Sequence, residues 1–147
     1  MHHIGPMVAL ERILIVDDDA FTRCALAELL ADEGYEVSTA SDGEEALQQI
    51  AHAPPALVLC DVRMPRASGL QVVQKLRHRP STAHVPVIMI SAAGRESRLA
   101  ALSLGADDFL AKPIDVDELT ARIKVQLRHV NHQRELERRS SLDPLTG

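Results

Sequence analysis

Residues 13–21 read ILIVDDDAF, in which four aliphatic side chains run directly into three acids. The aliphatic run is typical of a buried β-strand, and Asp17, Asp18 and Asp19 follow it without a break. Neighbouring carboxylates at the end of a buried strand repel one another and lose hydration. The pattern therefore indicates that a further feature, such as a bound cation, compensates for this cluster of acids.

Short aliphatic runs alternate with helical patterns along the rest of the chain. The sequence predicts strands at residues 12–16, 35–40, 56–60, 85–90 and 108–112. It predicts helices at residues 20–33, 43–52, 68–79, 95–104 and 115–140. Such alternation, with nearly continuous apolar strands, indicates an α/β fold: a three-layer α/β/α sandwich around a five-stranded parallel sheet. Ligands bind these folds beyond the carboxyl ends of the strands.

Apolar spacing predicts the buried faces of the first and last helices. In the first helix the apolar positions are Ala20, Cys24, Ala27 and Leu30 or Ala31. In the last helix they are Val116, Leu119, Ile123, Leu127 and Val130, a stripe that can pack on the sheet or on a partner. Cys24 and Cys60 lie in apolar segments without metal-ligand or disulfide spacing, so we expect both to be buried thiols.

Composition and charge argue against several classes of protein. The 147 residues suit one domain with an appended segment. No apolar run reaches the ~18 residues of a membrane span, no signal peptide is visible, and there is no glycine-rich phosphate loop. Residues 121–139 carry six basic and two acidic side chains, a net charge of +4, which leaves −9 on the remainder. We therefore expect a cytoplasmic protein without a membrane or nucleic-acid partner.

Polar residues follow four of the five predicted strands. Asp17 and Asp18 follow the first strand, Asp61 the third, Ser91 the fourth and Lys112 the fifth. The carboxyl ends of parallel strands meet at one edge of a sheet, so these side chains are expected to lie together. Mg²⁺ suits such a cluster because it prefers oxygen ligands and commonly serves a phosphate group.

Each of these residues also has an ordinary interpretation when it is taken alone. Asp19 and Ser91 fit helix caps, and Asp61 fits a turn ahead of Pro65. Lys112 fits a surface lysine, and Phe109 fits a core aromatic residue. The ordered set, with polar residues at the ends of the strands, favours a functional site.

Four segments carry a resemblance to a known family. They are ILIVDDD at 13–19, LVLCDVRMPRASG at 57–69, VIMISA at 87–92 and GADDFLAKP at 105–113. In this order and spacing they resemble the successive signatures of a two-component response-regulator receiver domain, over residues 12–128. The resemblance implies a flavodoxin-like fold with strand order 2-1-3-4-5.

The resemblance also assigns a role to each residue of the acid cluster. Asp61 would be the phosphoacceptor, receiving a phosphoryl group from a sensor histidine kinase or a phosphotransfer protein. Asp18, Asp61 and the backbone carbonyl of Arg63 would bind Mg²⁺ directly, and Asp17 would bind it mostly through water. Lys112 would contact a phosphoryl oxygen.

The resemblance further implies a conformational switch. Ser91 would hydrogen-bond the phosphoryl group, and Phe109 would turn inward when Ser91 moves. The Lys112–Pro113 peptide bond would be cis and would aim the lysine. Phosphorylation would then drive pairing of two copies of the chain into a homodimer.

The end of the chain resembles the start of a second domain. The last residues, DPLTG, resemble the opening of a GGDEF-type diguanylate cyclase domain through Asp143, Leu145, Thr146 and Gly147. We expect a disordered lead-in at 1–8, a receiver at 9–130, a helical linker at 131–141 and the start of a truncated output domain at 142–147. No GGDEF run is present, so we expect cyclase activity only from a longer protein.

Two competing functions remain open from the sequence. One is a receiver-like interaction module that works without phosphorylation. The other is a Mg²⁺-dependent phosphohydrolase with an aspartyl-phosphate intermediate. Such an enzyme usually needs a second acid close to the nucleophile, and Arg63 stands two residues after Asp61 instead.

Overall fold

The computed structural model describes residues 10–142 except residues 65 and 93. Five strands are formed: β1 (Arg12–Val16), β2 (Glu36–Ala40), β3 (Leu57–Asp61), β4 (Val87–Ser91) and β5 (Asp108–Ala111). Five helices alternate with them: α1 (Ala20–Asp32), α2 (Gly43–His52), α3 (Gly69–His78), α4 (Arg95–Ser103) and α5 (Val116–Leu142). The predicted bounds are met within two residues. The largest difference at a strand start is in β4, which begins after Pro86 because proline has no N–H for the ladder.

The strands form one parallel sheet in the order β2-β1-β3-β4-β5. Every residue of the central strands β3 and β4 is buried, as expected where helices cover both faces of a parallel sheet. The predicted fold and strand order are confirmed. Strand order reverses between β1 and β3, and the loops that leave these two strands lie beside each other at their carboxyl ends.

Two hydrophobic cores lie on opposite faces of the sheet. On one face, α2 and α3 pack with Ala101 of α4 against β-strand residues such as Val58 and Met89. On the other face, α1 and α5 pack against residues such as Ile15 and Leu59. The sheet thus forms the middle layer of three, as the sequence predicted.

The buried face of α1 agrees with the predicted one in part, since Leu30 is buried and Ala27 packs against the core. Leu26 and Leu30 are buried, whereas Ala20 and Cys24 are exposed. Turning the leucines inward removes more apolar surface from water than burying the smaller alanine and cysteine side chains. The prediction of a buried thiol was therefore wrong for Cys24 and is confirmed for Cys60.

Helix α5 passes without interruption through the predicted end of the receiver at residue 130. Its residues Leu119, Ile123, Leu127 and Val130 are buried, whereas Val116 is 47% exposed, and packing of Val116 on a partner stays a prediction. Val116 opens the helix, before it reaches the sheet. The predicted lead-in at 1–8 and the DPLTG segment lie outside the described residues. Within the described part of the chain, no helix is both long and apolar enough to cross a membrane.

Candidate functional site

Three carboxylates converge at the carboxyl ends of β1 and β3. Asp17 follows β1, and Asp61 is the last residue of β3, the strand paired with β1. Asp17, Asp18 and Asp61 each offer one oxygen within 4.8 Å of the others. Asp17 and Asp61 are 2% and 7% exposed, while Asp18 is exposed to solvent. Hard oxygen donors from two buried residues and one exposed residue fit Mg²⁺, which keeps part of its hydration shell.

The β1–α1 turn holds Asp17 at several of its atoms. The backbone N–H of Asp17 donates to the carbonyl of Ala40 at 3.1 Å. One carboxylate oxygen of Asp17 accepts the backbone N–H of Asp19 at 2.9 Å. The carbonyl of Asp17 accepts a hydrogen bond from the guanidinium of Arg23 at 2.8 Å. Burial raises the pKa of Asp17, and the charge of Asp61 acts in the same direction.

Asp19 stands apart from the other two acids of the run. It is the N-cap of α1, where its carboxylate accepts the backbone N–H of Phe21 and the hydroxyl of Thr22, the latter at 2.6 Å. The Thr22 hydroxyl lowers the pKa of Asp19. Its ordinary interpretation as a helix cap therefore accounts for its contacts.

Both carboxylate oxygens of Asp61 accept hydrogen bonds. One accepts the backbone N–H of Arg63 at 3.1 Å. The other accepts the ammonium group of Lys112 at 2.9 Å, and the same ammonium lies 3.5 Å from Asp17. Burial opposes the charge on Lys112, but Asp61 and Asp17 outweigh this effect and raise its pKa. Lys112 is thus a cation held directly on the buried carboxylate.

The ends of β4 and β5 bring the remaining predicted residues to the same edge. The Lys112–Pro113 peptide bond is cis, and the backbone N–H of Lys112 donates to the carbonyl of Ser91 at 2.9 Å. Ser91 is 1% exposed at the end of β4. It does not cap α4, because the N-cap of that helix is Gly94.

Phe109 lies on β5, and β4 separates it from β3, the strand that carries Asp61. Its side chain faces a surface hollow. Its half-buried ring packs against the core on one side and lines a hollow of about 650 Å³ on the other. Arg95 and Arg98 of α4 and Arg122 of α5 line the same hollow. The structure gives one position of the ring, so the predicted inward turn stays a prediction. The same is true of the Arg63 carbonyl as a metal ligand.

Sequence analysis did not identify the roles of two residues in this region. Gly69, at the start of α3, lies so close to β3 that an added Cβ would overlap the carbonyl oxygen of Asp61 and the methyl group of Met89. A glycine in the first turn of a helix is a usable signal for such close approach. Arg23 gave no signal, since its partner is a backbone carbonyl that only the folded turn brings near.

A family model described as the response regulator receiver domain matches residues 13–124. The chain belongs to this family. Receiver domains are phosphorylated by histidine kinases or phosphotransfer proteins, and they bind Mg²⁺ at an acidic pocket. In this receiver, the carboxylates of Asp17, Asp18 and Asp61 lie together at the carboxyl ends of β1 and β3.

Curated relatives and solved structures agree with this assignment. The receiver is 44% identical over 122 residues to "Probable transcriptional regulator ycf27" of Guillardia theta, covering 82% of this chain and 47% of that protein. It is 49% identical over 115 residues to "Response regulator PleD" of Caulobacter vibrioides, covering 77% of this chain and 25% of that protein. A putative response regulator from Chloroflexus aurantiacus J-10-fl matches with a TM-score of 0.79 and 37% identity, over 82% of this chain and 99% of that one.

The two curated relatives are both longer than the part they share with this chain. The receiver spans about half of the ycf27 protein and a quarter of PleD. The shared part therefore establishes the receiver, and the activity of a longer protein is a separate question.

Proposed function

We propose that this receiver accepts a phosphoryl group on Asp61 from a histidine kinase or a phosphotransfer protein. The observation that carries the proposal is the contact between Lys112 and Asp61 at 2.9 Å inside a cluster of three carboxylates. An oxygen of Asp61 would attack phosphorus, and the bond from phosphorus to the donor imidazole would break, with its electron pair leaving on nitrogen. The product is an acyl phosphate on Asp61.

The other residues of the site would hold the transferred group. Asp17, Asp18 and Asp61 are the candidates for binding Mg²⁺, with the Arg63 carbonyl as a further ligand. When bound, Mg²⁺ supplies positive charge that offsets the negative charge of the phosphoryl oxygens. Lys112 would exchange its carboxylate partner for a phosphoryl oxygen, and Ser91 would donate its hydroxyl to another.

Intact-mass measurement tests the phosphoacceptor directly. With Mg²⁺ and a small phosphodonor such as acetyl phosphate, the wild-type protein should gain one phosphoryl group, and a chelator should prevent the gain. Asp61→Asn should remain unmodified because an amide is not a nucleophile. Asp19→Asn is the matched control: it changes an acid of the same run and should be modified like wild type.

The competing interaction module gives the opposite result in this experiment. A phosphorylation-independent module would remain unmodified even as the wild type, with Mg²⁺ present. Equal phosphorylation of wild type and Asp61→Asn would instead show that another residue accepts the group. Either result overturns the proposal.

The surface beside the site supports a protein as the donor. Phe21 is 82% exposed at the start of α1. Together with Pro113, Ile114 and Val116 it lines a mainly apolar groove of about 470 Å³ that includes Lys112. An exposed aromatic side chain in an apolar patch is characteristic of protein interfaces, where such anchors contribute much of the binding energy. A phosphodonor protein bound in this groove would lie directly beside Asp61. We place this transfer in the cytoplasm.

For the longer protein, we infer a diguanylate cyclase output. The support is the DPLTG segment, which comes after the receiver and a helical linker. The ycf27 relatives are named transcriptional regulators, so a DNA-binding output is the competing possibility. Incubating the full-length protein with GTP and beryllofluoride, then separating the nucleotides by chromatography, should reveal cyclic di-GMP. Sequence-specific DNA binding without nucleotide turnover would favour the competitor.

A further inference from the structure

Arg23 holds the middle of the turn that carries two of the three clustered acids. It lies on α1, half-buried, and its guanidinium donates to the carbonyl oxygen of Asp17 at 2.8 Å. This carbonyl belongs to the peptide unit that joins Asp17 to Asp18. The orientation of that unit sets the direction in which both carboxylates leave the backbone.

Three successive peptide units of this turn are each fixed by one hydrogen bond. The unit before Asp17 is fixed by the Ala40 carbonyl, and the unit before Asp19 by the Asp17 carboxylate. The unit between Asp17 and Asp18 is fixed by Arg23. Of the three partners, the Arg23 side chain is the one that substitution can remove while the sheet pairing and all three acids remain.

We propose that Arg23 is a positioning residue for the acid cluster: by fixing the Asp17–Asp18 peptide unit, it holds both carboxylates in the geometry that binds a divalent cation. This inference rests on the proposed function, since it assumes that the cluster binds Mg²⁺. Arg23 itself contacts neither the metal nor the phosphoryl group. Groups that orient metal ligands from behind commonly change metal affinity 10- to 100-fold when they are removed.

Arg23 can change the Mg²⁺ affinity in two ways, through its positive charge and through its hydrogen bond to the turn. A guanidinium beside a cation site repels the cation, so loss of the charge alone would tighten Mg²⁺ binding. Loss of the hydrogen bond would release the turn and weaken Mg²⁺ binding. The two effects have opposite signs. A residue that serves only to stabilise the fold would change the unfolding midpoint and leave the Mg²⁺ affinity of the folded protein unchanged.

The experiment titrates MgCl₂ into the apo protein by calorimetry, for wild type, Arg23→Met and Arg12→Met. Arg12 is the matched control because its guanidinium also donates to a backbone carbonyl, that of Ala53, but from the opposite end of β1. We expect Arg23→Met to weaken Mg²⁺ binding about 10-fold, and Arg12→Met to leave it unchanged. Circular dichroism establishes that each variant is folded before titration.

A second variant protects the test against misfolding and separates charge from hydrogen bonding. Arg23→Lys keeps the charge but loses the planar fork that reaches the carbonyl, so its affinity for Mg²⁺ should be no higher than that of Arg23→Met. Unchanged or tighter binding by Arg23→Met overturns the inference while the proposed function stands. Absence of Mg²⁺ binding by the wild type would overturn the proposed function itself, and the inference with it.

Discussion

At the scale of single residues, we expect the acid cluster to destabilise the metal-free protein, because burial and the charge of Asp61 raise the pKa of Asp17. Asp18→Ala should raise the free energy of unfolding of the metal-free protein, by on the order of 1 kcal/mol, because one of three mutually repelling charges is removed. It should also abolish most of the stabilisation that Mg²⁺ gives to the wild type. Urea denaturation with and without MgCl₂ measures both effects.

Asp19→Ala is the control for this pair of effects. It removes a helix cap, so it should lower stability by about 1 kcal/mol and leave the response to Mg²⁺ intact. If Asp18→Ala lowered the stability of the metal-free protein, repulsion within the cluster would not be the dominant effect there.

The residues of the site differ in how far the sequence alone revealed them. Asp17, Asp18, Asp61, Ser91 and Lys112 were found because each stands at or just after the end of a recognisable strand. Arg23 was not found, because a contact from a side chain to a backbone carbonyl leaves no mark in residue spacing. The solvent-exposed position of Cys24 was also missed, since spacing alone did not distinguish its face of α1 from the leucine face.

At the scale of elements, the fit of α3 against β3 positions Asp61, the proposed phosphoacceptor. Gly69→Ala should destabilise the protein by about 1–3 kcal/mol, because the new Cβ overlaps the Asp61 carbonyl and either the strand or the helix must move. It should also slow phosphorylation by a small phosphodonor. Thermal unfolding and time-resolved intact mass are the measurements.

Gly94 supplies the matched control, since a Cβ added there meets no atom within 4 Å. Gly94→Ala sits at the N-cap of α4 and should cost less than about 1 kcal/mol. Equal losses in the two variants would mean that replacing a glycine at the start of a helix, not close packing against Asp61, accounts for the effect of Gly69→Ala.

We expect the groove between α1 and the start of α5 to affect phosphoryl transfer from a protein donor but not from a small molecule. Phe21→Ser should slow phosphoryl transfer from a cognate histidine kinase by at least about 10-fold, as expected for loss of an aromatic interface anchor. Transfer from acetyl phosphate should be unchanged, because the groove lies beside the reacting atoms and does not include Asp61. Leu136→Ser is the control: it removes another exposed apolar side chain, 51% exposed on α5 far along the helix. Equal slowing with both donors would place Phe21 in the site itself.

At the scale of the whole molecule, the order of strands and helices predicted the fold, but it did not predict the role of the last part of α5. Alternating strands and helices predict a covered parallel sheet from physical rules, whereas the order 2-1-3-4-5 came from the family resemblance. Of the five apolar residues that spacing singled out on α5, four are buried. We expect the function of the last part of α5 to depend on contacts with another copy or another domain, and no local pattern in one chain encodes such contacts.

The surface of α4, β5 and α5 is the candidate for such contacts. Leu99 and Leu102 are exposed on α4, at 52% and 38%. The nearby hollow lined by Phe109 is bordered by arginines of α4 and by the ion pair of Arg122 with Asp108, whose closest atoms are 2.8 Å apart. Exposed leucines next to fixed charges suit a pairing surface with an apolar centre and a polar rim.

Phosphorylation is expected to strengthen pairing through this surface. An inward turn of Phe109 would reshape the hollow, and two receivers meeting there would bring their α5 helices side by side, each extending to Leu142. Sedimentation with beryllofluoride and Mg²⁺ should show a dimerisation constant raised by roughly 5- to 150-fold, the usual range for coupling between two sites. Leu99→Arg should remove this gain, because it places a charge in the apolar centre of the surface. A dimerisation constant that does not respond to beryllofluoride would mean that the signal passes within a pre-existing dimer or along α5 of a single chain. In that case, the charge change at Asp61 would have to act through the continuous helix and not through a new interface.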